Sequence, residues 1–434
     1  MLDARLLRSD PDMLRTALAR RGADGLLDEA ISLDERRRAV QTKVDELRAR
    51  RNAASEQIGA AMKRLKDDPA AGAIAERART EVRELKVELD ALEADLADVG
   101  AQFEAAMLRL PNLPDPSAPL GAREEDAEVL KVVGEQPRFP FEPRDHLAIA
   151  GPGIDMERAA RTSGSRFGYL MGDIAVLWMA IARFAIDTLR GKGFVPVNPP
   201  VLVRREALVG TGFLPGDEAQ IYRVPDDELF LVGTSEVSLA ALHMGEILPE
   251  AELPLRYCGI STCYRREAGA AGRDTRGIFR THQFEKVEMF SFCHPDRSWE
   301  EHDWLLSIEE EIAQALGFHY RVVNIAAGDL GASAAKKYDI EVWLPGQSRY
   351  RELTSCSNTT DYQARRLDAR MRPDDGALRV LHTLNGTAVT SSRTVIGILE
   401  THQQADGSIA VPDVLQPYMG GVKTIESRAR SGAQ

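Results

Sequence analysis

The sequence predicts an α+β protein, in which an N-terminal antiparallel two-helix coiled-coil arm precedes a domain where helices flank an antiparallel β-sheet. Apolar residues follow a heptad spacing over residues 33–65 and 78–110, and prolines cluster directly after the second repeat. The rest of the chain holds strand-like segments without regular helix alternation, which favours an antiparallel sheet over a doubly wound one.

The composition is that of an ordinary soluble globular chain of 434 residues, long enough for two or three domains. No apolar run reaches the length of a transmembrane helix, and the charged N-terminus lacks a signal-peptide core. The four cysteines form no CxxC pair, so we expect reduced thiols, a cytoplasmic location and no zinc. The net charge of −12 argues against a general nucleic-acid coat but leaves room for a local basic stripe.

The two heptad repeats predict helices of about 33 residues each, which at 1.5 Å per residue form an arm of about 50 Å. Residues 66–69, KDDP, form the turn between them. In the first helix Arg37 and Arg51 fill the two polar seam positions, and the apolar ones are Leu33, Val40, Val44, Leu47, Ala54, Ile58, Ala61 and Leu65. In the second helix the seam is apolar throughout, with Ala78, Val82, Leu85, Leu89, Leu92, Leu96, Val99, Phe103, Ala106 and Leu110.

The two helices carry opposite charge. Residues 33–66 hold ten Lys/Arg against five Asp/Glu, and residues 70–108 hold four against nine. Dimerisation or spacing is the commoner use of a coiled coil, and part of the asymmetry is explained by pairing between the helices. The basic helix could also follow a phosphate backbone, with candidate contacts at Arg36, Arg37, Arg48, Arg51 and Lys63.

We expect three segments: an N-terminal domain over 1–110, a linker and entry segment over 111–150, and the main domain over 151–434. Residues 111–143 hold seven of the 22 prolines and cannot continue a helix. In the main domain, strands are predicted near 229–233, 255–267, 278–292, 319–325, 338–344 and 350–355. Helices are predicted at 173–192, 234–246, 297–316, 358–372 and 388–400.

A hairpin at residues 264–288 carries the strongest chemical signal. Its polar, glycine-rich loop at 268–277 joins two segments that read as strand. Period-two alternation places Arg265 and Glu267 on one face, and on one face of the second strand His282, Phe284, Lys286 and Glu288. Burying such a surface without a ligand would be costly, so the hairpin predicts a nucleotide platform, with Arg for phosphate and Phe for a base.

Other nucleotide and hydrolase motifs are absent from the sequence. It holds no GxxxxGK[ST], no GxGxxG at a strand–helix junction, no HExxH and no convincing Ser-His-Asp order. The remaining arginines and acids on strands fit phosphoryl or nucleotidyl transfer, where positioning and charge neutralisation supply most of the catalysis.

The hairpin resembles motif 2 of the class II aminoacyl-tRNA synthetases, and its details GRDTRG and HQFEKVEMF are similar to bacterial seryl-tRNA synthetases. Residues 193–201 resemble motif 1, and residues 385–388 with 392–394 resemble motif 3. The resemblance covers essentially the whole chain. It implies ATP and L-serine as substrates, Mg²⁺ as cofactor, a homodimer, and an arm that grips tRNA(Ser), and it leaves tRNA(Sec) open as a second acceptor.

The resemblance also implies roles for residues at the ATP end of the site. Arg265 bridges the serine carboxylate and the α-phosphate, Arg393 holds the γ-phosphate, and these two are the expected catalytic residues. Glu352 and Ser355 fall where the family binds Mg²⁺ and phosphates. Further ATP contacts are expected at Arg266, Glu267, Thr281, Phe284, Leu353 and Thr354. Without the resemblance, each of these residues also has a purely structural interpretation. Arg265 could form an ion pair with Glu267, Phe284 could belong to the core, and Glu352 could be a solvated acid at a strand end.

At the serine end, Glu236 is expected to face the α-ammonium and Glu288 to accept the hydroxyl. The other expected contacts are Thr234, Ser235, Arg265, Asn385 and Thr387. Without the resemblance, the two threonines would be interpreted as ordinary turn residues. Arg273 and Arg276 in the hairpin loop could reach the acceptor end of tRNA. The sequence departs from the family pattern at Ser238, Leu353, Thr354 and Ser391-Ser392.

Three rival functions remain open at this point. An amino-acid:carrier-protein ligase shares the catalytic core but lacks the long arm. A non-catalytic RNA-binding paralogue is expected to lose Arg265, Glu288 or Arg393, and all three are present. An inhibitor-resistant second copy would have the same chemistry, so the sequence alone does not separate it from a housekeeping enzyme.

Overall fold

The computed structural model describes residues 1–269, 272, 274, 276–373 and 376–426. These residues form two compact units. The first contains Asp3–Ala19 and Ala23–Leu110, and the second contains Met1–Leu2, Arg20–Gly22 and the described residues from Pro111 onward. In the described part of the chain, no helix combines the length and apolar character needed to cross a membrane.

The first unit is helical and contains α1 (Leu6–Ser9), α2 (Pro11–Ala19), α3 (Leu27–Arg64) and α4 (Ala71–Arg109). The long helices α3 and α4 pack along each other through a buried apolar seam formed by Val40, Val44, Leu47, Leu85 and Leu89. The predicted coiled-coil arm is therefore confirmed. Both helices are longer than expected, with 38 and 39 residues, and small side chains continue the seam at its far end through Ala61, Ala71 and Ala75.

The second unit is built on an eight-stranded sheet in the order β1-β11-β12-β13-β16-β10-β9-β4. The strands are β1 (Glu128–Val133), β4 (Val195–Val197), β9 (Leu255–Tyr264), β10 (Gln283–Cys293), β11 (Tyr320–Asn324), β12 (Lys336–Leu344), β13 (Arg349–Asn358) and β16 (His382–Thr390). Every pairing is antiparallel except the one between β4 and β9. The predicted antiparallel sheet is confirmed, with one parallel strand added at its edge.

Eight helices belong to this unit: α5 (His146–Ala150), α6 (Met156–Ser163), α7 (Asp173–Gly191), α8 (Arg205–Thr211), α9 (Glu236–Ala240), α10 (Ser298–Ala315), α11 (Tyr362–Leu367) and α12 (Arg393–Thr401). Short strands complete it: β2 (Ile154–Asp155), β3 (Tyr169–Leu170), β5 (Leu202–Val203), β6 (Arg223–Val224), β7 (Leu229–Leu231), β8 (Ile247–Pro249), β14 (Arg370–Arg372), β15 (Arg379–Val380), β17 (Ile409–Ala410) and β18 (Thr424–Ile425).

The main core lies between the large sheet and helices α7, α10 and α12. Val287 and Met289 of β10 point into this core, while Lys286, between Val287 and Glu285 in sequence, lines a cavity on the other face. Period-two alternation along the strand therefore separates the apolar side from the polar side. Farther along β10, Phe290 and Phe292 belong to a second core that includes residues of α9 and α11, so the polar cavity is bounded there.

Several predicted element boundaries are wrong. The hairpin strands end at Tyr264 and begin again at Gln283, because the intervening segment includes backbone with positive φ at Glu267, Gly269 and Gly277 that leaves the ladder. Strand β16 runs on to Thr390, so the helix predicted from residue 388 begins at Arg393. Strand β13 likewise runs to Asn358, which shortens the helix predicted at 358–372 to Tyr362–Leu367.

Candidate active site

A polar cavity of about 390 Å³ lies on the face of the sheet opposite the main core. It is bounded by strands β10, β13 and β16, by the two ends of the 265–282 segment, and by a loop at residues 331–334. The structure brings thirteen of the predicted site residues to its lining: Thr234, Glu236, Arg265, Glu267, Thr281, Phe284, Glu352, Leu353, Thr354, Ser355, Asn385, Thr387 and Arg393.

Two β-bulges explain how residues three apart on one strand both reach this cavity. On β13, Ile340 pairs with Thr354 and Glu341 pairs with Glu352, so Leu353 is an extra residue. On β16 the register shift leaves Ala388 extra in the same way. An extra residue resets the alternation of faces, so Glu352 and Ser355 line the cavity together.

Thr354, beside the bulge on β13, lines the cavity but turns its hydroxyl toward α10. Its hydroxyl donates a hydrogen bond of 3.0 Å to Glu309 Oε2 on α10. Glu309 is buried, and burial raises its pKa well above the ordinary value. The hydroxyl of Thr354 is therefore engaged beneath the sheet, away from the centre of the cavity.

At one end of the cavity, Arg265 follows directly after β9. Its Nε donates to the carbonyl of Gly233 at 3.1 Å, and its guanidinium carbon lies 5.2 Å from the centre of the Phe284 ring. This hydrogen bond holds one edge of the guanidinium, and Nε is its only hydrogen-bonded nitrogen within the described residues, so both Nη groups remain available to a ligand in the cavity that Arg265 lines. Arg265 and Phe284 thus form one surface, as the hairpin pattern predicted.

Glu236 lies in the most enclosed part of the cavity, at the start of α9. Gln363 Nε2 donates to Glu236 Oε1 at 2.7 Å. Burial raises the pKa of Glu236 to about 7, and the charge of Glu288 adds to this, while the Gln363 bond and the cations Lys286 and Arg265 act against it. The carboxyl is thus poised to change charge near neutral pH.

A buried polar network continues from Glu236 across the sheet. Lys286 Nζ donates to Thr234 Oγ1 at 2.8 Å and forms an ion pair with Glu288. Asn385 Nδ2 donates to Glu288 Oε1 at 3.1 Å. Glu288 has no exposed surface, so it reaches the cavity through these partners and is not itself part of the lining.

The opposite end of the cavity is rich in cations. Arg393, the first residue of α12, donates to Glu352 at 2.9 Å, and the Phe279 ring lies 5.0 Å from Arg393 and 3.6 Å from Arg351. Burial acts to raise the pKa of Glu352, but the charges of Arg393 and Lys337 outweigh it and lower the pKa to about 2. Glu352 is therefore ionised at neutral pH.

Some predicted contacts lie away from the cavity lining. Ser235 is fully buried, with its hydroxyl close to Gly259 of β9. Arg266 has its guanidinium 6.0 Å from the Tyr222 ring. His282 precedes β10, and its Nδ1 lies 2.9 Å from the carbonyl oxygen of Arg265, so the expected shared face with Phe284 is wrong.

Two described residues of the hairpin loop, Asp274 and Arg276, form ion pairs. Asp274 contacts Arg351 at 2.8 Å and Arg280 at 3.7 Å, and Arg276, with 76% of its side chain exposed, lies 3.6 Å from Asp145. The predicted RNA contact Arg273 lies outside the described residues.

Sequence reasoning missed several cavity residues. Arg280 donates to Glu267 Oε2 at 2.7 Å, so one oxygen of that carboxylate is already engaged. The ammonium of Lys337 lies 2.8 Å from Asp339; burial opposes its charge, but Asp339 and Glu352 raise its pKa above the ordinary value. The alternation that placed Lys286 beside Phe284 was a usable signal for Lys286. No pattern in the sequence pointed to Gln363.

On the arm, the predicted RNA contacts are partly engaged by the neighbouring acidic helix. Arg36 pairs with Asp95 at 2.5 Å and Arg48 with Glu93 at 2.7 Å. The seam residue Arg37 lies 4.9 Å from the Phe103 ring and pairs with Asp34. Arg51 donates weakly to Asn52 at 3.5 Å, and Lys63 is exposed near the end of α3.

Comparison with known proteins gives the family. Residues 222–402 match the tRNA synthetase class II core domain (G, H, P, S and T), and residues 1–114 match the seryl-tRNA synthetase N-terminal domain. A serine–tRNA ligase of Acidothermus cellulolyticus is 50% identical over 423 residues, which are 97% of this chain and 98% of the relative.

Solved structures agree with this result. The seryl-tRNA synthetase of Pyrococcus horikoshii, complexed with ATP, superposes with a TM-score of 0.92 at 40% identity over 99% of this chain and all of that one. The cytoplasmic enzyme of Naegleria fowleri, in complex with AMP, gives 0.87 at 33% identity over 99% of both chains. The chain belongs to the seryl-tRNA synthetase family of class II aminoacyl-tRNA synthetases.

Proposed function

We propose that this protein is a serine–tRNA ligase, which activates L-serine with ATP to seryl-adenylate and diphosphate and then transfers the seryl group to tRNA(Ser). The observation that carries the proposal is a single cavity lined at one end by Glu236 and at the other by Arg393 and Glu352, with Arg265 also on the lining. A small zwitterion and a triphosphate are the ligands that such an arrangement suits. Relatives named serine–tRNA ligase support the same activity.

ATP binds along the cation-rich part of the cavity. Phe284 offers a flat apolar face to adenine, while Glu267 and the main chain at Thr281 offer acceptors at its edge. Arg393 meets the γ-phosphate at the start of α12, where the positive end of the helix dipole also favours an anion.

Mg²⁺ suits the oxygen ligands offered by Glu352 and Ser355. Glu352 is ionised, and both residues line the cavity on the same face because of the β13 bulge. Mg²⁺ is typically bound through one or two protein oxygens together with substrate phosphates and water. This agrees with the lack, within the described ranges, of any cluster of three His, Cys, Asp or Glu side chains able to hold a metal alone. When bound, the ion would neutralise charge on the phosphates.

Adenylate formation needs no general base, because the serine carboxylate is already ionised at neutral pH. Its oxygen attacks the α-phosphorus, the bond to the bridging oxygen breaks, and diphosphate leaves. The exposed Nη groups of Arg265 can bind the carboxylate and the α-phosphate together, which aligns the reacting atoms and offsets charge in the transition state.

Serine is selected by the polar network at the other end. Glu236 pairs with the α-ammonium, and Glu288, which lies directly behind the lining residues Lys286 and Asn385, is the proposed acceptor of the hydroxyl when serine is bound. Thr234 and Thr387 complete the pocket, with the buried Ser235 behind them. A site that hydrogen-bonds a hydroxyl rejects an analogue lacking it by about 10⁴-fold, so alanine is refused on this ground. Threonine retains the hydroxyl, and its extra methyl must be excluded by shape.

The same function assigns a role to each of the three predicted segments of the chain. The arm within residues 1–110 holds tRNA(Ser) through the cations of α3, residues 111–150 connect it to the body, and residues 151–434 form the catalytic domain. Arg273 and Arg276 approach the acceptor end of the tRNA. The protein works as a homodimer in the cytoplasm, and tRNA(Sec) is a candidate second acceptor.

The rival functions gain no support. A carrier-protein ligase does not account for the long arm or for its match to the seryl-tRNA synthetase N-terminal domain. A non-catalytic paralogue does not account for the retained Arg265, Glu288 and Arg393. The comparisons do not single out an inhibitor-resistant copy.

The test is exchange of labelled pyrophosphate into ATP with each of the twenty amino acids in turn, followed by charging of total tRNA. We expect exchange with serine alone and a charged fraction that contains only serine acceptors. Exchange with another amino acid, or none with serine, would contradict the proposal.

A further inference from the structure

One wall of the cavity is an irregular loop, residues 330–334, which precedes strand β12. Four of its residues, Gly331 to Ala334, line the cavity. The two ends of the loop, Leu330 and Ala334, are buried, and a buried carbonyl without a hydrogen-bond partner is costly. The loop's five successive carbonyls are therefore a guide to what holds this wall in place.

Three of these carbonyls accept from Arg21. Its Nη2 donates to Leu330 at 2.6 Å and to Gly331 at 2.7 Å, and its Nη1 donates to Ala334 at 3.0 Å. Nη1 also donates to the carbonyl of Asn112 at 2.9 Å. Arg21 thus binds both ends of the loop with one rigid, planar group.

The two carbonyls in the middle of the loop accept from Asn112, which is 3% exposed. Its main-chain N–H donates to Ala332 at 2.8 Å, and its Nδ2 donates to Ser333 at 2.8 Å. The same amide nitrogen bonds Thr359 at 2.8 Å, immediately after β13. All five carbonyls of the loop are therefore bonded by Arg21 or Asn112.

No carboxylate takes part at Arg21, whose hydrogen bonds in the described structure all go to main-chain carbonyls. Burial lowers the pKa of Arg21 to about 10, so the group stays charged at neutral pH. A half-buried cation held by carbonyl dipoles alone depends on the geometry of those carbonyls, and the loop in turn depends on the cation.

The loop contacts the serine end of the cavity. A Cβ added at Gly212 would lie 3.4 Å from Cβ of Ser333, so the loop passes close to the segment that contains Thr211 and Gly212. The preceding carbonyl, that of Thr211, accepts from Gln363, and Gln363 donates to Glu236. A shift of the loop would therefore reach Glu236, the residue proposed to bind the serine ammonium, through Thr211 and Gln363.

We propose that Arg21, supported by Asn112, is a positioning residue for the amino-acid pocket: it fixes the 330–334 loop and so sets the affinity for serine without touching substrate. This rests on the proposed serine–tRNA ligase activity. Arg21 is far from the cavity residues in sequence, and none of the motifs that mark the active site contains it.

Arg20 provides a matched control in the adjacent position. It too donates only to carbonyls in the described structure, including Asp115 at 3.0 Å and Ala118, but none of its acceptors belongs to the 330–334 loop. Arg20→Lys and Arg21→Lys therefore both remove a carbonyl-binding fork and keep the charge, and only Arg21→Lys releases the wall of the pocket.

The test is pyrophosphate exchange with both variants and the unmodified protein. Loss of the Arg21 fork should misplace the 330–334 loop and so weaken the binding of serine. We therefore expect Arg21→Lys to raise the KM for serine about ten-fold, with the KM for ATP and kcat changed less than about three-fold. We expect Arg20→Lys to leave the serine KM within about two-fold of the unmodified protein.

Hydrogen exchange at residues 331–334 separates positioning from general destabilisation. We expect faster exchange there in Arg21→Lys and unchanged exchange in strand β10. Equal serine KM values in the two variants, or a higher KM with unchanged exchange in the loop, would overturn the inference. If Arg21→Lys does not fold, Asn112→Ser removes two side-chain donors and must raise the serine KM in the same way. Absence of serine exchange in the unmodified protein would instead contradict the proposed function itself.

Discussion

Serine binding should weaken sharply below neutral pH because of Glu236. Burial, reinforced by Glu288, raises its pKa to about 7 in the empty site. The ammonium of serine stays protonated across this range, so only the carboxylate form of Glu236 can pair with it. With that pKa, the ionised fraction is about 0.9 at pH 8 and about 0.09 at pH 6, so serine should bind about ten-fold more weakly at pH 6.

The same shift affects folding stability. The folded pKa of about 7 lies above the ordinary value of 4.5, so between these values the folded protein binds the proton and the unfolded chain does not. The contribution of Glu236 to the free energy of unfolding therefore falls as pH rises through this window, by on the order of 3 kcal/mol. Serine should recover part of this loss, so its stabilising effect on the melting temperature should be larger at pH 8 than at pH 6.

Titration calorimetry with serine alone avoids the ionisation of ATP. Measured at pH 7 in two buffers of different ionisation enthalpy, binding should release about half a proton, since about half of the Glu236 carboxyls are protonated there. Glu236→Gln serves as the control and should bind weakly with no proton release. Affinity that changes less than two-fold between pH 6 and pH 8, or equal proton release in the variant, would refute the assignment.

Three further predictions concern other parts of the chain. Arg265→Ala should lower serine-dependent pyrophosphate exchange by about 10³-fold with an unchanged melting temperature, since the transition state loses a charge-assisted fork; an unchanged rate would remove Arg265 from the mechanism. Deleting residues 33–108 should spare exchange and abolish tRNA charging, and normal charging by the shortened protein would disprove the role of the arm. Gly277→Ala should cost about 1–3 kcal/mol in urea unfolding, because the backbone has φ +82° and the new Cβ would lie 2.2 Å from His146 Nε2. Gly269→Ala has nearly the same φ with open space around it, so an equal loss there would assign the cost to the backbone alone.

The sequence predicted the parts of the fold that depend on local periodicity. The heptad positions Val44 and Leu89 are buried in the arm, and the alternation from Phe284 to Lys286 does face the cavity. The sequence did not predict features that depend on the pairing register between neighbouring strands. Whether Leu353 is an extra residue depends on its pairing with β12, which a single strand does not reveal.

The site shows the same division. Arg265, Glu352 and Arg393 lie in recognisable motifs and reach the cavity as expected. Gln363 and Arg21 act through positions that only the folded chain brings near Glu236 and the 330–334 loop, so nothing in their sequence neighbourhood marks them. The first hairpin strand was predicted to run to residue 267 but ends at Tyr264, because a positive φ value such as that of Glu267 is not visible as a periodic pattern.

The acidic helix beside the basic helix of the arm has a consequence for selectivity among polyanions. Arg36 and Arg48 already have carboxylate neighbours on α4, and such solvent-exposed pairs are each worth less than about 1 kcal/mol. A nucleic-acid backbone that follows the arm over several helical turns can replace all of these ion pairs, and its many phosphate contacts add up. A nucleic acid that touches the arm only briefly replaces few pairs and gains little. On the proposed function, these competing carboxylates would make the arm favour a long nucleic-acid backbone that follows it over a short polyanion.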